Sequence, residues 1–144
     1  MPARDRYHHS VRNALVKDGW KITHDPLRLK WGVKDMYVDL GAERLLTAEK
    51  PGHKIAVEIK TFSGASDIAD IEQAIGQYFL YLAVLNRTER ERTLYLAIHE
   101  DVYLNIFEES LGKLLLEEYK IPLMIFELDR EVILKWIPEN TIAN

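Results

Sequence analysis

A carboxylate and an ammonium group lie two residues apart in the most strand-like stretch of the sequence. Residues 54–62, KIAVEIKTF, alternate β-branched residues and follow a Pro51-Gly52 turn signal. Side chains alternate across a strand, so Glu58 and Lys60 share one face. The opposite face carries three β-branched residues: Ile55, Val57 and Ile59. This charged pair is typical either of a solvated strand face or of a site that performs chemistry.

Asp39 supplies a second carboxylate upstream of this pair. It lies near the end of a predicted strand, residues 35–40, and before Gly41, where we expect the chain to bend. A meander of antiparallel strands can then bring Asp39 beside Glu58. Two carboxylates about 4 Å apart repel by roughly 4 kcal/mol at an effective dielectric near 20. Such a pair must share a proton, bind a cation or stay apart.

A divalent cation would satisfy the two carboxylates. Asp39, Glu58 and the backbone carbonyl of Ile59 offer hard oxygen ligands, and Mg²⁺ completes its octahedron with water and substrate phosphate. Lys60 could orient the attacking water and stabilise charge that develops on a phosphodiester. These residue types therefore predict hydrolysis of a phosphodiester with Mg²⁺ or Mn²⁺. A salt-bridge network in a domain of unrelated function is the alternative.

Hydrophobic periodicity predicts the elements that position these residues. Helices are expected over residues 3–16, over about 18 residues after the N-cap Ser66, and within 101–119. Strands are expected over the following ranges: 20–24, 35–40, 44–48, 54–62, 93–98, 123–128 and 132–137. The result is an α/β or α+β domain on one mixed sheet. Its core order is α-β-β-β-α-β, and a C-terminal helix and β-hairpin follow.

Composition limits the class of protein. With 144 residues and 47% hydrophobic composition, residues 1–144 should form one domain. There is no cysteine, so disulfides and thiolate metal sites are excluded. The N-terminus is too polar for a signal peptide and no apolar run is long enough to span a membrane, so we expect a soluble cytoplasmic protein. The net charge of −4 divides into +4 over residues 1–65 and −8 over residues 66–144, and the basic half could assist phosphate binding.

Asp39 followed by Glu58-Ile59-Lys60, in this order of elements, resembles the PD-(D/E)-x-K nuclease superfamily, which has the restriction-endonuclease-like fold. Val38 stands where the name-giving proline would be. The resemblance implies that Asp39 and Glu58 bind the metal and that Lys60 assists the nucleophile.

Further residues resemble auxiliary positions of the superfamily. Gln77 and Tyr81 are similar to the Gln-x-x-x-Tyr motif of RecB-like members, and Gln73 precedes them by one turn. The resemblance implies that Gln77 contacts the DNA backbone or holds a metal-bound water. In the first helix, Asp5 and His8 share a face, where superfamily members often present an acidic residue to the metal.

A closer resemblance covers the chain to about Pro138. The following segments resemble the XisH family, the excision controlling factors of the fdxN DNA element: Ala3-Arg4-Asp5 with His8, Asp18-Gly19-Trp20, Thr23-His24-Asp25-Pro26, residues 57–62 and residues 73–78. This resemblance implies a role in programmed excision of a DNA element. It implies DNA, a site-specific recombinase and the companion factor XisI as partners.

Two functions remain open from the sequence. The first is a Mg²⁺-dependent DNA endonuclease or nickase. The second is a catalytically silent regulatory module of the same fold that binds DNA, the recombinase or XisI. An acidic set of residues favours a basic protein partner: Glu108, Glu109, Glu117 and Glu118. Leu80 and Val84, expected to be exposed on the long helix, are compatible with a homodimer.

Overall fold

The computed structural model describes residues 3–44 and 52–139 and shows a mixed α+β architecture. The helices are α1 (Ala3–Lys17), α2 (Asp67–Thr88), α3 (Glu100–Val102) and α4 (Ser110–Tyr119), and a π-helical turn, Tyr103–Phe107, joins α3 to α4. The strands are β1 (Lys21–His24), β2 (Leu27–Trp31), β3 (Lys34–Val38), β4 (Leu40–Arg44), β5 (His53–Ile59), β6 (Arg92–His99), β7 (Leu123–Glu127) and β8 (Val132–Ile137). None of the described helices is both long and apolar enough to cross a membrane.

The main sheet has six strands in the order β1-β4-β5-β6-β7-β8. Strands β5, β6 and β7 run parallel, whereas β1, β4 and β8 pair antiparallel to their neighbours. The predicted fold class, a central mixed sheet with a C-terminal helix and hairpin, is therefore confirmed. Strands β2 and β3 form a separate two-stranded sheet. The prediction of one sheet containing residues 35–40 is wrong, because β3 pairs with β2 and not with β4.

Each face of the main sheet has its own hydrophobic cluster. On one face, α1 contributes Val11 and Leu15 to a cluster with Ile55 and Val57 of β5. On the other face, α2 packs over Ala56. The alternation predicted for β5 is thus confirmed, and the face that carries Glu58 is the one that α2 covers.

Helix α2 begins where the sequence predicts. The Ser66 side chain accepts a hydrogen bond from the Ala69 amide, at 3.3 Å, which satisfies one of the free N–H groups of the first turn. The helix is 22 residues long, and its buried side chains include Val84. Leu80 is exposed, as predicted, but Val84 packs into the core, so the expected apolar pair on the helix surface is not there.

Gly41 does not bend the chain, contrary to the prediction. It lies inside β4, paired with His24 of β1 and Ala56 of β5. A Cβ atom at this position would lie 3.3 Å from both the His24 and the Arg92 side chains, so glycine allows close packing here. The chain changes direction at Asp39, between β3 and β4. Of the predicted strand 44–48, only Arg44 is described, as the last residue of β4, and residues 45–48 lie outside the described residues.

The helical region after β6 is not continuous. A π-helical turn precedes α4, which starts at Ser110. A Cβ atom on Gly112 would lie 2.1 Å from the Ile106 carbonyl oxygen, so only glycine lets α4 fold back against this turn.

Candidate functional site

Strand pairing brings Asp39 and Glu58 together. Leu40, the first residue of β4, pairs with Val57 of β5. The same antiparallel register, continued by one residue, places Asp39 opposite Glu58. Directly opposite residues of antiparallel strands place their side chains on the same face. Two hydrogen bonds cross the pair. The Asp39 amide donates to Glu58 Oε1 at 3.2 Å, and the Ile59 amide donates to Asp39 Oδ2 at 2.8 Å.

Lys60 and Gln77 complete the cluster from β5 and α2. Lys60 Nζ lies 3.4 Å from Glu58 Oε2, and it donates a hydrogen bond to Gln77 Oε1. Lys60 is therefore fixed between the carboxylate of its own strand and an amide of the helix above it. The four residues that the sequence selects as catalytic lie in one contiguous network.

The network lies in a cavity of about 520 Å³ between the sheet and α2. The cavity lining includes all four of these residues and Ile59. It also includes three predicted auxiliary residues: His8, Gln73 and Tyr81. His8 reaches it from α1, and its Nε2 lies 2.7 Å from Asp25 Oδ1. Asp5 is exposed and lies outside the lining, so the structure does not bring it into the site.

Sequence reasoning missed several residues of this cavity: Tyr37, Thr61, Phe62, Ser63, Gly64 and Asp70. Asp70 precedes Gln73 by three residues and Gln77 by seven, so helical spacing carried a signal for it. Asp70 lies in the first turn of α2, where a carboxylate is favourable beside the positive end of the helix. In the structure its Oδ2 atom also accepts a hydrogen bond from the Gly64 amide at 3.0 Å, which ties the loop before α2 to the helix.

Burial controls the protonation of Glu58. Glu58 is only 6% exposed, and this burial raises its pKa to about 8, with a further increase from the charge of Asp39. Lys60 opposes the increase without cancelling it. Burial also raises the pKa of Tyr81, and the charges of Glu58 and Asp39 add to this effect. In the absence of a cation, Glu58 therefore holds a proton near neutral pH.

The donor set fits a hard divalent cation. Asp39 and Glu58 are carboxylic acids that line one cavity, and a divalent cation there would oppose the burial and the Asp39 charge that raise the pKa of Glu58. Within residues 3–44 and 52–139, no group of three His, Asp or Glu side chains is arranged to hold a metal. Two carboxylates suffice for Mg²⁺, which keeps several waters and binds substrate phosphate.

Comparisons with known proteins agree on one family. The family model described as XisH protein matches residues 1–134. An XisH family protein from Nostoc punctiforme PCC 73102 is 36% identical, with a TM-score of 0.84; the match covers 94% of this chain and 100% of that one. A protein from Anabaena variabilis, described as an fdxN element excision controlling factor, is also 36% identical, with a TM-score of 0.83 over 93% of this chain and 99% of that one. No match is found among curated proteins. On the family model and these two structures, the chain belongs to the XisH family.

Proposed function

We propose that this protein is a Mg²⁺-dependent DNA endonuclease or nickase that controls the excision of a DNA element. The observation that carries the proposal is the network of Asp39, Glu58, Lys60 and Gln77 in one cavity. Family membership supplies the biological context, because a relative of this chain is described as an excision controlling factor. In this proposal a site-specific recombinase and XisI act in the same process.

The residues have separate roles in the proposed reaction. Asp39, Glu58 and the Ile59 carbonyl would hold Mg²⁺ or Mn²⁺, which would supply positive charge to the phosphodiester. Lys60, held by Gln77, orients the attacking water and donates to a phosphate oxygen. The water oxygen forms the new bond to phosphorus as the water loses a proton to solvent, and the bond from phosphorus to the sugar oxygen breaks as that leaving oxygen takes up a proton from solvent. The two backbone hydrogen bonds keep the carboxylates in place throughout.

Nicking of supercoiled plasmid tests this proposal. Purified protein with Mg²⁺ or Mn²⁺ should convert supercoiled DNA to the open circle. Asp39→Asn and Glu58→Gln keep an oxygen that can accept the observed hydrogen bonds, but they remove the charge. Each change should lower the nicking rate by roughly 10²-fold or more. Glu72→Gln is the matched control, because Glu72 is an exposed acid of α2 that does not line the cavity.

The nicking rates of the wild type and the variants distinguish the two candidate functions. Nicking that persists in Asp39→Asn and Glu58→Gln would come from another site or from a contaminant. An inactive wild type that keeps its fold would favour the second function.

The second candidate function is a regulatory module that binds a protein partner. One surface favours it. Three leucines around α4 are exposed, and so are the four acidic residues selected from the sequence. The leucines are Leu104, Leu111 and Leu114, and the acids are Glu108, Glu109, Glu117 and Glu118. We call these seven residues the α4 surface. Exposed leucines interspersed with acidic residues along the chain suit a basic protein better than DNA.

A further inference from the structure

The β2–β3 hairpin carries cations and apolar groups that the cavity network does not use. Strands β2 and β3 pair over five residues each, from Leu27 opposite Val38 to Trp31 opposite Lys34. At about 3.4 Å per residue, the ribbon is roughly 17 Å long. Its tip is fully open to solvent, since Trp31 is 54% exposed and Val33 is 93% exposed.

The base of the hairpin is fixed to the body of the protein. Leu27, Leu29 and Val38 are buried in the hydrophobic cluster that α2 covers. Their alternation leaves Arg28 and Lys30 on the opposite, solvent-facing side of β2. The hairpin is therefore a ribbon with a rigid base, one apolar face packed inward and one polar face outward.

The outward face and the tip carry unbalanced positive charge. Arg28 donates two hydrogen bonds to Asp35 across the ribbon, at 3.0 and 3.1 Å. The side chains of Lys30 and Lys34 form no ion pair or hydrogen bond with any residue of the described ranges. Two cations beside an exposed tryptophan and valine are suited to a polyanion with apolar groups on its surface.

The hairpin is continuous with the cavity. Tyr37 of β3 is exposed on the hairpin and lines the cavity, and Asp39 follows β3 by one residue. A nucleic acid strand with its phosphodiester at Asp39 would therefore lie beside the ribbon. The major groove of duplex DNA is about 12 Å wide and admits a two-stranded β-ribbon.

We propose that the β2–β3 hairpin enters the major groove of duplex DNA beside the phosphodiester at the cavity. This inference rests on the proposed function, since it gives the substrate of that site as duplex DNA. Lys30 and Lys34 bind phosphates on the groove walls, and Trp31 and Val33 contact base edges such as thymine methyl groups. Phosphate contacts supply affinity, whereas the apolar tip supplies a preference for sequence.

Fluorescence anisotropy with a labelled duplex in EDTA tests the hairpin without any hydrolysis. The double variant K30A/K34A should bind about tenfold more weakly, and its slope of log affinity against log salt should be smaller by about two. Trp31→Ala should bind roughly fivefold more weakly with the slope unchanged, because it removes no charge. K21A/K113A is the matched control for charge, since it removes two exposed lysines that lie outside the hairpin and the cavity lining.

The outcomes separate the hairpin from the nuclease. Hairpin variants that bind duplex DNA like the wild type overturn this inference, even if the wild type nicks DNA. A wild type that binds no duplex overturns it too, as does weakened binding confined to single-stranded DNA. A wild type that binds through the hairpin but never nicks DNA supports this inference and contradicts the nuclease proposal.

Discussion

Glu58 is a buried acid next to a second acid, and this arrangement makes its ionisation depend on a cation. Without metal, burial and the Asp39 charge raise its pKa to about 8, far above the ordinary value of 4.5. The folded protein therefore binds a proton at Glu58 that the unfolded chain has already released. The free energy of unfolding must fall as pH rises from about 4.5 to about 8.

Glu58→Gln should remove this pH dependence. Glutamine keeps an oxygen to accept the hydrogen bond from the Asp39 amide and has no proton to lose. At pH 8 in EDTA, we expect the variant to be more stable than the wild type by about 1 to 2 kcal/mol, or roughly 3 to 8 °C in Tm. Near pH 5 the difference should be small, because Glu58 is then protonated in the folded wild type. Thermal unfolding, monitored by circular dichroism at pH 8 and near pH 5, measures both stability differences.

Mg²⁺ provides the complementary control on the same two proteins. Ligand binding to the folded state raises stability, so Mg²⁺ should raise the Tm of the wild type and much less that of Glu58→Gln. Glu72→Gln should respond like the wild type. Equal increases in the wild type and Glu58→Gln would mean that the metal binds elsewhere.

Elements with a clear period were predictable from the sequence, and so were the residues that they hold. The period of two in KIAVEIKTF predicted β5 and its two faces, and helical spacing with Ser66 predicted α2. Asp39 and Glu58 were predicted to be neighbours because adjacent antiparallel strands pair locally. Gln77 was predicted to belong to the site by resemblance, and its hydrogen bond with Lys60 joins it to Glu58.

Pairing between strands was less predictable from the sequence. The predicted site lacked a residue for this reason. The strand predicted over residues 20–24 ends where β1 ends, but no strand was predicted for Leu27, Leu29 and Trp31, which alternate directly after it. Alternation gives the faces of a strand but not its partner, so β3 was assigned to the wrong sheet. Tyr37 was missed for this reason.

The α4 surface leads to a prediction at the scale of one element. If XisI binds there, L111S/L114S should lower its retention on the immobilised protein by about tenfold or more, because apolar anchors carry most of an interface's free energy. The matched control is Leu80→Ser, since Leu80 is an exposed leucine of α2 at 53% and Leu114 is 56% exposed. Equal retention of XisI by the wild type, L111S/L114S and Leu80→Ser would exclude the α4 surface as its binding site.

Within the described residues, two hydrophobic clusters share the central strands of the main sheet. Ile55 and Val57 of β5 enter the α1 cluster, whereas Ala56 between them enters the α2 cluster. The buried Arg92 side chain joins β6 to β5 and to the end of α2, since it donates to the Ile55 carbonyl at 2.9 Å and to Glu89 at 2.9 Å. Neither cluster can lose its strands without exposing the other, so we propose that the chain unfolds as one cooperative domain.

Leu15→Ala and Leu85→Ala test that cooperativity from opposite faces of the sheet. Both leucines are fully buried, Leu15 in the α1 cluster and Leu85 in the α2 cluster, so each change should cost about 2 to 5 kcal/mol. Both measurements use a W31F background, so that Trp20 and Trp136, whose ring centroids lie 6.0 Å apart, report on the α1 cluster by fluorescence, while circular dichroism reports on all elements. In urea, Leu85→Ala should shift both signals to the same lower midpoint.

Leu114→Ala, at an exposed position, should change stability by less than about 0.5 kcal/mol. Tryptophan fluorescence that kept the wild-type midpoint in Leu85→Ala would mean that the two faces unfold independently, because damage beneath α2 would then not reach the α1 side.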